Sequence, residues 1–380
     1  MLDAIVIGAG FAGLRVLHQR RDRGFAVHAF EAGGDVGGTW YWNSYPGARC
    51  DIESKDYCFI FDRRLHDGWT WTERFAGQPE ILRYARYVAD YANLLPHITF
   101  DTAIRAAEFD EASATWTVVT DAGDTHRCRY LIAAVGCMSA PYTPELPGLA
   151  QYEGVRVHTG RWPRAGVDFR GRRVGIVGTG SSGIQLIPRI AEAAAELTVF
   201  QRTPNFSAPA RNRPLTPAEQ QAAAAEYEDR VRYAGTTRFG HHIVGTGRPT
   251  TDFTAAERDH ELEIRWQRGG TGILATFTDS GMNLAANSIV AEFFRRKIAA
   301  AVHDPDTARG LQPRTYPIGT KRLCVDSGYF ETYNRANVTL VDLRDEPIRS
   351  CTRTGIRTTA REFRLEPWYS PPDSMPSPAR

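Results

Sequence analysis

Two glycine-rich runs carry the chemistry that can be read first from this chain: Gly8-Ala9-Gly10-Phe11-Ala12-Gly13 near its start and Gly178-Thr179-Gly180-Ser181-Ser182-Gly183 in its middle. A strand, a glycine turn and a helix in that order cradle a pyrophosphate. The first glycine permits the tight turn, the second lets the phosphates approach the backbone, the third packs helix on sheet, and the helix N-terminus donates N–H groups. An acid at the end of the next strand accepts from a ribose hydroxyl, and Glu31 stands there, 23 residues after Gly8. The second run is followed by Gln201-Arg202-Thr203 instead, and an arginine in that place neutralises a 2′-phosphate, so the pattern favours NADP over NAD. Two bound dinucleotides imply redox chemistry.

The elements that must position these loops follow from local pattern. Asp3 to Ile7 reads as a strand, Phe11 to Arg23 as a helix and Ala26 to Phe30 as a second strand. Gln78 to Leu95 has helical spacing, with Ile81, Leu82, Ala85, Val88 and Ala89 on one face, and Ile98 to Val135 reads as three or four strands. Pro141 to Gly148, with three prolines, reads as a linker. Beyond it Arg172 to Val177 is a strand, Ser182 to Ala195 a helix and Leu197 to Phe200 a strand, repeating the first unit. Helical runs at Thr216 to Tyr233 and Asn287 to Ala301 mark a mainly α insertion over about 205–300. The expected fold class is α/β, with two Rossmann-like dinucleotide-binding domains and a helical insertion in the second.

Composition narrows the field. With 380 residues, 42% of them hydrophobic, the chain is long enough for two or three domains with ample core. A net charge of +2 gives no argument for nucleic acid or a membrane surface as partner. No apolar stretch approaches the roughly 18 residues that a membrane span needs, and Met1 leads into a strand-like run without a basic leader, so the expected location is the cytoplasm. The six cysteines, at positions 50, 58, 128, 137, 324 and 351, form no C-x-x-C pair. Reduced, mostly buried thiols are therefore expected, with no metal site and no redox-active disulfide.

Two further segments stand out. Gly37-Gly38-Thr39-Trp40-Tyr41-Trp42-Asn43-Ser44-Tyr45-Pro46-Gly47-Ala48-Arg49-Cys50-Asp51 is too polar and glycine-broken for a core strand, yet carries four aromatic rings. It is either a loop whose rings wall a planar cofactor or a rigid surface loop stapled by aromatics. Lysine occurs at only three positions, 55, 297 and 321, so the pair Lys321-Arg322 within Pro317-Ile318-Gly319-Thr320-Lys321-Arg322 is conspicuous. A solvated basic pair is the alternative to a functional one.

Between the two nucleotide loops lies Tyr152-Glu153-Gly154, then His158, then Trp162-Pro163. The spacing Tyr-x-Gly-x-x-x-His-x-x-x-Trp-Pro resembles the fingerprint of Baeyer-Villiger monooxygenases, flavoenzymes that insert one atom of dioxygen beside a ketone carbonyl. That family normally has Phe where Tyr152 stands, and Ala-Thr-Gly where this chain has Ala134-Val135-Gly136. Related flavin-containing monooxygenases usually carry Tyr or Phe in place of Trp162. The segment from Gly37 to Asp51 resembles the family's second flavin-contacting motif.

The resemblance implies FAD and NADPH as cofactors, a ketone and dioxygen as substrates, and oxygen transfer from a C4a-peroxyflavin. It implies FAD contacts for Gly8, Gly10, Phe11, Ala12, Gly13, Glu31, Gly38, Thr39, Trp40, Asp51 and Tyr57. The NADP contacts it implies are Gly178, Thr179, Gly180, Ser181, Ser182, Gly183, Arg202, Thr203 and Lys321. Arg322 is the expected active-site cation, because a permanently charged guanidinium can stabilise a peroxide anion and the oxyanion that follows. Asp51 is expected to hydrogen-bond it and fix its pose. His158 and Trp162 are expected to couple NADPH binding to domain movement rather than to act as acid or base. An N- or S-oxygenating enzyme, or an inactive remnant that binds only nucleotide, are the competing readings.

The resemblance covers residues 1 to about 365. It divides the chain into an FAD domain over 1–145, an NADP domain over 146–340 and a return to the FAD domain over 341–380. Val338 to Leu343 is expected as a strand leading back, after which relatives write a segment resembling Leu-Val-Leu-Ala-Thr-Gly-Phe-Asp. Residues 366–380 carry five prolines and no periodicity, which argues against any strand there. Read one base out of frame, Trp368-Tyr369 forces a valine and Met375-Pro376 an alanine, the places they hold in Leu-Val-Leu-Ala-Thr-Gly-Phe-Asp-Ala, which the shifted frame permits. A one-base deletion after Leu365 is the corresponding expectation, which would leave the flavin domain truncated.

Overall fold

The computed structural model describes residues 1–137, 141, 145–237, 240 and 245–370. Its first sheet is built from β1 (Leu2–Ile7), β2 (Val27–Phe30), β3 (Ile98–Thr99), β4 (Ile104–Asp110), β5 (Thr115–Thr120) and β6 (Thr125–Ala133), in the order β3-β2-β1-β6-β5-β4. β1 pairs in parallel with β2 and β6, whereas β4, β5 and β6 pair antiparallel. The helix Phe11–Asp22 leads from β1 to β2 and buries Leu14 and Leu17, and the helix Gln78–Tyr91 buries Ile81, Leu82, Ala85, Val88 and Ala89. These are the apolar positions that helical periodicity selects from the sequence.

The second sheet comprises β7 (Val155–His158), β8 (Arg173–Val177) and β9 (Glu196–Gln201) with two strands from later in the chain. Between β8 and β9 runs the helix Ser181–Ala191. β10 (Ser207–Pro209) and β11 (Cys324–Asp326) form a parallel pair, and between them lie the helices Pro217–Ala225, Tyr227–Ala234, Ala255–Arg268, Leu284–Ala301 and Pro305–Leu311. β12 (Val338–Asp342) then returns to the second sheet beside β9. β13 (Ile348–Thr352), β14 (Gly355–Thr358) and β15 (Glu362–Arg364) form a small antiparallel sheet, and β16 (Pro367–Ser370) completes the order β12-β9-β8-β16-β7. The core of this half is continuous, from Val174 and Ile176 on β8 through Ile184 and Ile187 of the helix to Leu197 and Val199 on β9. Among the described residues no helix is long and apolar enough to cross a membrane.

The strand pairing corrects two expectations. Residues 338–370 do not return to the first sheet, because β12 pairs with β9 and β16 with both β7 and β8. Nor do the prolines forbid a strand after Leu365: Pro367 occupies its first position, where a missing N–H costs no ladder bond. Residues 371–380, and 142–144 of the expected linker, lie outside the described residues.

The fingerprint residues show what holds β16 in line. Tyr152 is buried, and its phenol donates to the carbonyls of Leu365 (3.0 Å) and Glu366 (2.9 Å). A Cβ on Gly154 would meet that phenol oxygen at 2.2 Å and the Glu366 carbonyl at 2.5 Å, so the close approach requires glycine. Trp162 is buried in the core of the second half, 6.1 Å from the ring of Phe169. Tyr152→Phe keeps the ring but leaves both carbonyls without this donor, and we expect it to lower the unfolding free energy by about 1 kcal/mol. Chemical denaturation checks this; an unchanged midpoint and slope would show that the phenol contributes nothing to stability.

Candidate active site

Three cavities adjoin and share residues of their walls. The first, about 390 Å³, is lined by Gly8, Gly10, Phe11, Ala12, Glu31 and Gly38 together with Thr39, Trp40, Asn43 and Tyr57. The second, about 520 Å³, shares Thr39, Trp40, Asn43 and Tyr57 with it and adds Gly178, Thr179, Gly180, Ser181, Ser182, Arg202, Thr203 and Lys321. The third, about 720 Å³, lies against the helical insertion and shares Asp51 and Arg322 with the second. The aromatic loop is thus the partition between the two glycine-loop cavities, and the Asp51–Arg322 pair is the partition between the second and third.

The first cavity fits a dinucleotide. Gly13 brings the helix hard against the turn, since a Cβ there would sit 1.9 Å from the Gly8 carbonyl oxygen. Gly38, at φ +53°, faces Gly10 so closely that its Cβ would stand 2.8 Å from the Gly10 Cα. No side chain caps the helix Phe11–Asp22, and its N-terminus is part of the cavity wall, as a phosphate cradle requires. Glu31 is buried, accepting from the Ala9 N–H (2.7 Å) and the Gly33 N–H (2.8 Å), which shape the turn. A carboxylate has about four acceptor positions, so capacity remains on the cavity side. Trp40 donates from Nε1 to the Tyr57 hydroxyl (2.9 Å), and burial pushes the Tyr57 phenol up to about 12, keeping it neutral.

The second cavity fits a dinucleotide with more negative charge. The helix Ser181–Ala191 again has no side-chain cap. Arg202 and Lys321 both line this cavity, and among the described residues no carboxylate lies within ion-pair reach of either. Burial, and then the charge of Arg202, lower the Lys321 pKa. Two cations without a carboxylate partner, facing one cavity, are a receptor for an anion.

The second partition is an ion pair across the chain. Arg322 Nε stands 3.0 Å from Asp51 Oδ2, and the other carboxylate oxygen accepts from the Val325 N–H at 3.0 Å. The Asp51 side chain is 3% exposed and that of Arg322 57% exposed. Arg322, paired with Asp51 through Nε, lines both the second and the third cavity. Burial raises the Asp51 pKa, against the opposing pull of Arg322 and the Val325 N–H.

Comparison with known proteins decides the family. Residues 5–244 match the family model for pyridine nucleotide-disulphide oxidoreductases. The chain is 41% identical to the acetone monooxygenase (methyl acetate-forming) of Gordonia sp. (strain TY-5), covering 93% of this chain and 67% of the relative. It is 39% identical to a Baeyer-Villiger monooxygenase of Pseudooceanicola batsensis, covering 95% and 66%. The chain belongs to the Baeyer-Villiger monooxygenase family. It superposes on the solved OTEMO complex with FAD and NADP with a TM-score of 0.95 at 39% identity, over 97% of this chain and 71% of that one. It spans about two thirds of the length of the curated relatives.

Several residues that build this Baeyer-Villiger site are not visible in the sequence pattern. Gln185, inside the helix Ser181–Ala191, accepts from the Tyr45 hydroxyl (2.8 Å) and the Arg49 N–H (3.3 Å) and donates to the Arg49 carbonyl (3.0 Å). It pins the aromatic loop to the second nucleotide unit. Asn287 donates to the carbonyls of Ser280 (3.0 Å) and Ile318 (2.8 Å) and accepts from the Ile318 N–H (3.0 Å), tethering the segment that carries Lys321 and Arg322. Arg161 and Arg164 stack over Trp42 (4.2 Å) and Tyr41 (3.9 Å), joining the fingerprint segment to the aromatic loop. His158 lines none of the three cavities, and its Nδ1 accepts from the Gly160 N–H at 3.1 Å.

The raised Asp51 pKa fixes the sign of a linkage. The folded chain binds that proton more tightly than the unfolded chain, so this group favours folding at low pH and loses that contribution as pH rises through its folded value. Asp51→Asn keeps an acceptor for the Val325 N–H and removes a buried charge. We expect its melting temperature at pH 7 to be unchanged or raised, with the difference from the parent chain shrinking as pH falls. Arg322→Met leaves the buried carboxylate without its cation and should melt lower than Asp51→Asn at pH 7. Thermal melts of both variants against pH check the pair; the reverse order would contradict it.

Proposed function

We propose that the protein is an FAD- and NADPH-dependent monooxygenase that inserts one oxygen atom of dioxygen beside the carbonyl of a ketone, giving an ester or lactone. The observation that carries this is the run of three adjoining cavities with Arg322 in the wall common to the second and third. A dinucleotide pair alone supports many redox reactions. A fixed guanidinium between the second cavity and a large apolar one supports the stabilisation of an oxyanion on a carbonyl substrate. The forming of methyl acetate by the acetone monooxygenase relative belongs to the same chemistry.

On this reading the first loop, with Glu31, holds FAD, and the second, with Arg202, Thr203 and Lys321, holds NADPH. FAD held by the first loop would supply the activation of dioxygen, with NADPH as the source of the electrons. Every other part falls to this chain's own residues. Trp40 and Tyr57 separate the two cofactor cavities while letting them communicate, and their mutual hydrogen bond keeps both rings in place. Arg322 presents its terminal N–H groups to the negative charge that develops on oxygen, and it neither gives nor takes a proton. Asp51 holds Arg322 through Nε and keeps it aimed. Gln185 and Asn287 keep the parts in register. The cytoplasm, where NADPH is supplied, is the proposed location.

Arg322→Ala should abolish ester formation while FAD still binds, because removing one preorganised donor typically costs about 3 to 4 kcal/mol of barrier. Product analysis with a ketone, an amine and a sulfide checks this together with the reaction class. Ester made by the variant would remove Arg322 from its assigned role, and oxide as the only product of the parent chain would favour heteroatom oxygenation. Arg202→Ala should raise the KM for NADPH about 10- to 100-fold, the loss of one charge-assisted contact, and leave that for NADH unchanged. Steady-state oxidation of the two coenzymes decides it, and an equal effect on both would place the 2′-phosphate elsewhere.

A further inference from the structure

The third cavity assigns a substrate class, an inference that rests on the ketone chemistry proposed for Arg322. Among the described residues lining it, Asp51 and Arg322 are the charged ones, and Asp51 is engaged by Arg322 and the Val325 N–H. Its buried polar residues besides Asp51 are Ser280 and Asn287. Ser280 Oγ donates to the carbonyls of Leu274 (3.2 Å) and Phe277 (3.1 Å), and both ends of the Asn287 amide are taken up by backbone. The wall is made largely by apolar side chains such as Leu274, Phe277 and Leu323, together with the hydroxyl-bearing residues Tyr233, Thr237, Thr271 and Thr278 and one cation towards the cofactors.

At about 720 Å³ the cavity lies in the range that takes a drug-sized molecule. A small ketone would leave most of its apolar wall facing water. An anionic substituent on the far side from Arg322 would meet no counter-charge among the described lining residues and would lose part of its hydration. We infer that the substrate is a bulky, neutral, predominantly apolar ketone with a single carbonyl that reaches Arg322, rather than a small ketone or one bearing a carboxylate or phosphate.

The test is equilibrium binding by calorimetry to the FAD-loaded protein in the presence of NADP⁺, followed by kcat/KM from NADPH oxidation and product yield. The probes are cyclohexanone, cyclododecanone, 2-dodecanone and 11-oxododecanoate. Cyclododecanone should bind at least about 100-fold more tightly than cyclohexanone, a part of what six further buried methylenes can contribute. The keto acid should bind at least about 10-fold more weakly than 2-dodecanone. Val290→Phe, and Ala275→Leu as a milder filling of the same cavity, should cut the preference for cyclododecanone over cyclohexanone. Cyclohexanone bound as tightly as cyclododecanone, the keto acid bound as tightly as 2-dodecanone, or a size preference untouched by both substitutions would overturn the inference. Tight, size-selective binding with no ester from any ketone would leave the inference standing and sink the proposed reaction.

Discussion

The arrangement depends on one buried carboxylate. Asp51 ends the aromatic loop of the first nucleotide unit, and its two oxygens reach Arg322 and the Val325 backbone, more than 270 residues further along the chain, at the head of β11. A charge held at 3% exposure is costly unless it is paired and hydrogen-bonded, and both partners come from the second unit. That requirement draws the segment 322–325 against the loop, so the cation belongs at once to the second and third cavities. The raised pKa of Asp51 shows the cost that remains after pairing.

Around this contact the neighbouring elements are held by side chains that recognise backbone. Gln185 reads both the N–H and the carbonyl of Arg49, and Asn287 does the same for Ile318. An amide that bonds both groups of one residue fixes its orientation as a strand neighbour would, but at a single point. The aromatic loop and the Lys321-Arg322 segment lack regular ladders of their own, and these two amides stand in for them. The cations Arg161 and Arg164, stacked on Trp42 and Tyr41, add a face-on constraint that needs no hydrogen-bond register.

What is legible in the sequence is what depends on local rules. The glycine loops, the strands and helices around them and Glu31 are set by backbone sterics and periodicity within about thirty residues, and the structure places them accordingly. Pairing Arg322 with Asp51 needs family resemblance, because no local pattern connects residues so far apart. Gln185 and Asn287 are illegible for the same reason: an amide inside a helix is ordinary until its distant backbone partner is known. The disagreement after Leu365 is different. Proline excludes a strand only according to its position, and at the first residue of β16 it is compatible with pairing on both sides. The placement of β12 and β16 in the second sheet is likewise a matter of long-range pairing.

The most direct test of the Asp51–Arg322 contact is a double-mutant cycle on ketone oxygenation, with Asp51→Asn, Arg322→Lys and the two together, measured as kcat/KM for ester formation in the FAD-loaded protein. If Asp51 acts only by aiming Arg322, the double variant will be about as impaired as the worse single one, leaving a coupling energy of at least about 1 kcal/mol. Losses that simply add would mean that the two residues act independently, and would contradict a site organised around their contact.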